Sequence, residues 1–494
     1  MAAAVDSNDV WRVQSSDLVP IGGETDGDYN VFIRELIPSP GAGSMYEVME
    51  LLGRGTFGQV LKCWKRDTNE VVAVKILKNV PSYTKQGQIE VNVLSRLRRH
   101  GAEAFNSVLC LESFVHRGHI CIVFEMLHLN LYDYLKQGGF QPLPLKHIRP
   151  IAQQVLCCLV KLKELGLVHA DLKPENIMLV DHGRQPFRVK VIDFGSASNR
   201  THTNTTTYIQ SRYYRAPEVI MGLPYTESID MWSLACVLTE LFLGWPLFPG
   251  SSEYDQISYI CQMLGSPPLQ LFNNANKSSR FFNKQFGQWA LKPQRQFSME
   301  TGIKPKETRK FVFTSVSAIA QAGSHSNNQL TEENVIEQFD RVQFVSLLES
   351  LLIFNPLERA HPENCLQHPF ITMHHLSMYT NCVCVQELIQ CMRVCCRSSN
   401  SHTVTPSHPL AYTPPPLTYH VSALPNPPLS MVQVPPSWPL VTDSYHSVIN
   451  QDLRSDYHQQ LVNKLSVSQP HPSYTHTPYE LYWMLPQYWL SNHR

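Results

Sequence analysis

The sequence predicts an α+β fold in two lobes, with strands gathered first and helices after. Three observations carry this reading. Gly53-Arg54-Gly55-Thr56-Phe57-Gly58-Gln59-Val60 lies between two alternating, strand-like runs, and Val72-Ala73-Val74-Lys75 follows on the next strand. From Leu145 to Leu165 the apolar residues Ile148, Ile151, Val155, Leu159 and Leu162 recur at helical period. From Asp230 to Leu243 the chain is apolar nearly all round, the pattern of a buried central helix, and Gly244 and Pro246 stop it.

Composition bounds the setting. The chain's 494 residues suffice for one two-lobed domain with flanking segments. Its 41 Lys and Arg balance 41 Asp and Glu, so no overall field steers it to nucleic acid or to a membrane surface. The first residues lack the basic and apolar regions of a secretory signal. The most apolar stretch, Trp232 to Phe248, is interrupted by Glu240, Gly244 and Pro246 and is too short for a bilayer. With no export signal, the 13 cysteines read as reduced thiols. The expectation is an intracellular protein with no membrane span and no direct nucleic-acid partner.

In chain order, residues 1–45 are polar and punctuated by Gly and Pro, which predicts a disordered leader. The domain opens near Tyr46. Glycines in the 53–60 motif would let backbone approach phosphate groups without a Cβ in the way. Lys75 in an apolar strand needs a counter-charge. Glu90, on the helical pattern from Gln88 to Leu94, is the natural partner. Cys121 to Leu127 reads as a buried strand running into a linker, which separates a first lobe, 46–126, from a second, 127–370. The helix from Leu145 then presents His169-Ala170-Asp171-Leu172-Lys173-Pro174-Glu175-Asn176, and the β-branched run Val189 to Ile192 ends in Asp193-Phe194-Gly195. Phosphoryl transfer needs a carboxylate to orient a hydroxyl and take its proton. It also needs oxygen ligands for Mg²⁺ and a cation to offset charge on the phosphate. Asp171, Asn176, Asp193 and Lys173 match those needs in kind and order.

Beyond the loop, Ala216-Pro217-Glu218 resembles the end of a kinase activation segment, which implies that Glu218 pairs with Arg359 far along the chain. The stretch 273–329 is weakly periodic, helical patterning returns from Phe339 to Leu352, and Leu366 to Phe370 closes the predicted domain. The tail, 371–494, has two parts. Cys382, Cys384, Cys391, Cys395 and Cys396 match no paired zinc spacing and fit either a packing helix or a lipid-modified patch. Beyond Ser398 the composition is Pro, Ser, Thr, His and Tyr, which predicts disorder. Within it, Tyr479 to Leu490 reads equally as an aromatic docking segment or as unstructured chain.

These motifs, with Gln86-Gly-Gln-Ile-Glu-Val, Asn130-Leu-Tyr-Asp-Tyr-Leu and Leu243-Gly-Trp-Pro-Leu-Phe-Pro-Gly, resemble the homeodomain-interacting protein kinases of the CMGC group. The resemblance covers the domain and not the tail. It implies the two-lobed protein kinase fold with ATP and Mg²⁺ in the cleft. Carried onto this sequence, it assigns Asp171 and Lys173 to catalysis and Asn176 and Asp193 to the metal. It assigns Gly53, Arg54, Gly55, Thr56, Phe57, Gly58, Val60, Ala73, Lys75, Glu90, Glu125 and Leu127 to ATP. It also implies phosphorylation of protein substrates at Ser/Thr-Pro sites and an insert at 273–329. Tyrosine autophosphorylation on Tyr208 is implied too, with Ser211, Arg212 and Arg215 as the regulatory surroundings. Transcription factors or corepressors would be the partners and the nucleus the address, with the cytoplasm as the other. Two features depart from the broader pattern. Ala170 stands where most kinases carry Arg, and most of the family's long C-terminal region has no counterpart here. The alternative is an inert kinase-like scaffold acting through its tail. The presence of Lys75, Glu90, Asp171, Asn176 and Asp193 together favours the enzyme.

Overall fold

The computed structural model describes residues 19–20, 27–41, 43–200, 209–323 and 331–396. The first lobe is a six-stranded antiparallel sheet. Its strands are β1 (Leu36–Pro38), β2 (Met45–Gly55), β3 (Gly58–Lys65), β4 (Glu70–Leu77), β5 (Cys110–His116) and β6 (His119–Glu125). Their order across the sheet is β1-β2-β3-β4-β6-β5. Alternation decides what faces inward: Leu61 and Cys63 on β3 and Val72, Val74 and Ile76 on β4 all join one apolar cluster. The β2–β3 hairpin turns at Thr56-Phe57. At Gly58, φ is 156° and a Cβ would meet the Ile76 carbonyl oxygen, so only glycine allows β3 to lie this close to β4. Against the sheet lies α1 (Pro81–Arg99), with proline in its first turn, Glu90 on its buried face and Arg96, Arg98 and Arg99 in its last turn.

The leader expectation needs correction. Tyr29, Val31 and Ile37 are buried in the first-lobe cluster, and β1 pairs with β2 in the register Leu36↔Glu47, Ile37↔Tyr46 and Pro38↔Met45. A few apolar residues in a polar stretch cannot form a core alone, but they can add to one already present. Residues 1–18 lie outside the described residues.

The second lobe is built on α2 (Leu145–Glu164) and α3 (Ser228–Leu243). Every residue of α3 is buried, as its continuous apolarity predicts. Gly244 ends it at φ 67°, where a Cβ would collide with the Phe140 carbonyl oxygen. The strands β7 (Ile177–Leu179) and β8 (Val189–Val191) pair antiparallel and carry the two functional loops at their ends. The 273–329 stretch holds short helices and the hairpin Phe282–Gln285 with Gln288–Leu291, anchored by buried Phe281, Phe297 and Ile319. No helix among the described residues is long and apolar enough to cross a membrane.

The C-terminal boundary is also corrected. Two further helices, α4 (Glu332–Leu351) and α5 (Val383–Met392), share a cluster of Ile336, Leu376, Val385 and Leu388. Lys146 on α2 lies 3.0 Å from Glu387 on α5, and Arg188 Nη1 donates to the Val394 carbonyl at 3.0 Å. The packing-helix reading therefore describes 383–392, and the folded unit continues past residue 370. The Pro-rich remainder and Tyr479 to Leu490 lie outside the described residues. A chain ended at residue 380 is expected to lose stability, because burying a Val or Leu side chain contributes about 1.5–3 kcal/mol. Its urea midpoint should fall; an unchanged midpoint would mean that α5 contributes nothing to the fold.

Candidate active site

The loop after α2 is tied to the centre of the lobe. Asp230, buried in the first turn of α3, accepts the amides of His169 at 2.7 Å and Ala170 at 2.9 Å. Those bonds hold Ala170 at φ 64°, a left-handed conformation that costs a non-glycine residue about 1–2 kcal/mol. Asp171 follows directly, and its carboxylate meets Ser211 of a later segment.

Asp171 is saturated with donors. Its Oδ1 accepts the Ser211 amide at 3.0 Å and the Ser211 hydroxyl at 2.8 Å. Its Oδ2 accepts Lys173 Nζ at 2.7 Å and Asn176 Nδ2 at 3.3 Å. The carboxylate is held in one orientation by donors on both of its oxygens. Asn176 spends Nδ2 on Asp171 and its carbonyl, which leaves its amide oxygen as a donor atom.

Opposite stands a chain of three charges. Lys75 Nζ lies 2.7 Å from Glu90 Oε1 and 2.9 Å from Asp193 Oδ1. Burial works against the Lys75 ammonium, but the Glu90 and Asp193 carboxylates outweigh it and hold its pKa above the ordinary lysine range. Burial likewise favours neutral Asp193, yet the Lys75 ammonium prevails and keeps that carboxyl below its usual value. Lys75 and the Gly195 amide both engage Asp193 Oδ1. Asp193 Oδ2 and the Asn176 amide oxygen are hard oxygen donors of the kind Mg²⁺ prefers, so these residues fit that ion.

Lys75, Glu90, Asp193 and Asn176 line a cleft of about 390 Å³. Gly53, Gly55, Phe57, Gly58, Val60, Ala73, Lys75, Glu90, Glu125, Leu127, Asn176 and Asp193 all line it. Arg54 and Thr56 sit exposed at the tip of the hairpin, beside the lining glycines Gly53 and Gly55. Glu125 needs a narrower reading. Its carboxylate accepts Lys190 Nζ at 2.6 Å and the Leu109 amide at 2.7 Å, and its own amide donates to the Leu109 carbonyl at 3.2 Å, so the side chain is committed within the protein. Sequence reasoning missed Leu52, Met178 and Ile192, apolar cleft residues at strand positions next to motifs already recognised.

The regulatory residues divide. Ser211 belongs to the catalytic cluster. Arg215 is buried, with its guanidinium on the Ile209 and Gln210 carbonyls and 3.1 Å from Glu253. Arg212 donates to the Ser251 carbonyl at 2.7 Å. Tyr208 lies outside the described residues.

A family model described as the protein kinase domain matches residues 46–371. The chain belongs to the protein kinase family. Within that family it groups with the homeodomain-interacting protein kinases. It is 52% identical over 385 residues to homeodomain-interacting protein kinase 2 of Mus musculus, an alignment covering 77% of this chain and 32% of that one. It is 53% identical to homeodomain-interacting protein kinase 1 of Mus musculus, over 75% of this chain and 31% of the relative. The human homeodomain-interacting protein kinase 4 is 44% identical, over 67% of this chain and 56% of its own length. The chain thus spans between a third and somewhat over half of the curated relatives it matches. Lys75, Glu90, Asp171, Asn176 and Asp193 all lie within the matched residues.

Proposed function

We propose that this kinase domain is an active serine/threonine protein kinase using ATP with Mg²⁺, directed to sites followed by proline. The observation that carries the reading is the bridge from Lys75 to both Glu90 and Asp193, which joins the two lobes around the cleft. Asn176 and Asp193 would hold the metal, which when bound neutralises charge on the phosphate oxygens. The hairpin glycines and Lys75 bind and orient the nucleotide phosphates. Asp171 orients the substrate hydroxyl and accepts its proton, and Lys173, beside Asp171 Oδ2, offsets charge developing on the transferred group.

Selection for proline has support in the segment next to Asp171. Gln210 adopts φ 60°, and its carbonyl accepts Arg215 Nη2 at 2.7 Å. A carbonyl consumed internally offers nothing to a substrate N–H. A following residue without an N–H then loses no hydrogen bond on binding, and proline is that residue.

Tyr208 remains the proposed autophosphorylation site. Arg212, four residues further along the chain, is the proposed cation for its phosphate. The relatives' name supports homeodomain proteins as partners and the nucleus as their meeting place. Incubation with Mg-ATP and an oriented Ser/Thr peptide library should yield phosphopeptides enriched in proline after the acceptor. Mass spectrometry of bacterially expressed protein should find phosphate on Tyr208, absent in Asp171→Asn. No transfer to any peptide would overturn the enzyme reading; transfer without proline enrichment would remove the specificity, and an unmodified Tyr208 in active protein the autophosphorylation.

A further inference from the structure

We propose that Gln86 is a positioning residue: its side-chain amide latches the Asp193-Phe194-Gly195 loop to α1, so that Glu90 and Asp193 are held in register without any phosphate. The inference rests on the enzyme reading above and deepens it.

Gln86 lies one helical turn before Glu90, and residues four apart share a helix face. Its Nε2 donates to the Gly195 carbonyl oxygen. Glu90 holds Lys75, Lys75 holds Asp193 Oδ1, and the same Oδ1 accepts the Gly195 amide at 3.4 Å. The bonds close a ring that leaves α1 at Glu90 and returns to it at Gln86. Gly195 makes the close approach possible, since a Cβ there would sit 3.2 Å from both Glu90 Oε2 and Asp193 Oδ1. Phe194, between the two ends of the ring, is fully buried and packs on the His169 ring at 5.1 Å.

A second tie acts at the other end of the helix. Arg96 donates to the Leu165 carbonyl at 2.7 Å and to Asn199 Oδ1 at 3.1 Å, beyond the same loop. Arg96 anchors the C-terminal end of α1 to the second lobe, and Gln86 anchors its N-terminal half to the metal loop. The Gln86 latch is a neutral amide on a neutral carbonyl. No phosphate enters the ring, and Ala170 contributes no cation that would call for one. The ring offers an internal substitute for phosphate-dependent ordering.

The test uses the full chain carrying Gln86→Met, which keeps length and removes the donor, and Gln86→Glu, which sets a carboxylate against the Gly195 carbonyl. Three quantities are read: kcat, KM for ATP, and the ratio of affinities for two cleft ligands. One ligand is Mg²⁺ with a non-hydrolysable ATP analogue, which needs Asp193 in place. The other is a diaryl-urea inhibitor that occupies the space Phe194 vacates when it swings out. A lost hydrogen bond of ordinary strength predicts that kcat falls about two- to tenfold while KM for ATP changes less. The urea-to-analogue affinity ratio should rise by a similar factor. A residue that merely stabilised the fold would weaken both ligands together and leave their ratio unchanged, which would overturn the proposal. If the parent protein transfers no phosphate, the enzyme reading fails, and the ligand ratio alone decides on the latch.

Discussion

Replacing Asp171 with Asn is expected to lower phosphoryl transfer by about 10²–10⁴-fold while nucleotide binding persists, because proton acceptance by a positioned side chain contributes gains of that size. The geometry adds a second reason for a large loss. Both carboxylate oxygens accept hydrogen bonds, from Ser211 on one side and from Lys173 and Asn176 on the other. An asparagine has one acceptor oxygen, so its amide must face either the Ser211 donors or the Lys173 ammonium. One side of the cluster then loses its partner, either the segment carrying Ser211 or Lys173, in addition to the lost base. ATP contacts should survive, since Lys75, Asp193 and the hairpin glycines lie across the cleft. The check is kcat with a peptide substrate beside nucleotide affinity by calorimetry. A variant turning over at the parent rate would remove Asp171 from its catalytic role.

The pair Lys75 with Glu90 was legible because a charge in an apolar run is costly alone and demands a partner, and Glu218 with Arg359 through the resemblance of Ala216-Pro217-Glu218 to a kinase motif. The buried α3 was legible for a related reason: a helix apolar on every side has nowhere to lie except inside. What escaped depended on surfaces the rest of the chain creates. Residues 27–38 and α5 carry only a few apolar side chains each, too few to fold independently, yet they add to clusters already formed. Ser211 looked regulatory because it stands 40 residues from Asp171, and only the tertiary fold closes that distance. Leu52 escaped because it stands just outside the glycine motif, at a register shift whose direction only the folded hairpin decides. The chemistry was legible where one residue type is needed, and illegible where backbone direction decides.

Arg359→Met is expected to cost about 3–5 kcal/mol of stability, the usual consequence of leaving one member of a buried ion pair without the other. Neither side chain of the Glu218–Arg359 pair has any solvent exposure. Arg359 donates to both Glu218 oxygens, at 2.7 and 3.0 Å, and to the Ser228 and Ile353 carbonyls at 2.7 and 2.8 Å. It also lies over the Trp232 ring at 5.4 Å. One side chain thus joins the start of α3, the loop after α4 and the short helix Pro217–Met221 that follows the Ser211 segment. Methionine retains much of the packing but strands the Glu218 carboxylate in a site that cannot hydrate it. Adding Glu218→Gln removes the stranded charge, so the double variant should be more stable than Arg359→Met alone. Catalysis should weaken in the single variant even below its unfolding temperature, since the helix that anchors the Ser211 segment has lost its tether. Urea denaturation of the parent, both single variants and the double supplies the cycle, and kcat at low temperature supplies the catalytic arm. A loss below about 1 kcal/mol for Arg359→Met, the range of an exposed pair, would mean that water reaches Glu218 and that the tether is not buried in solution.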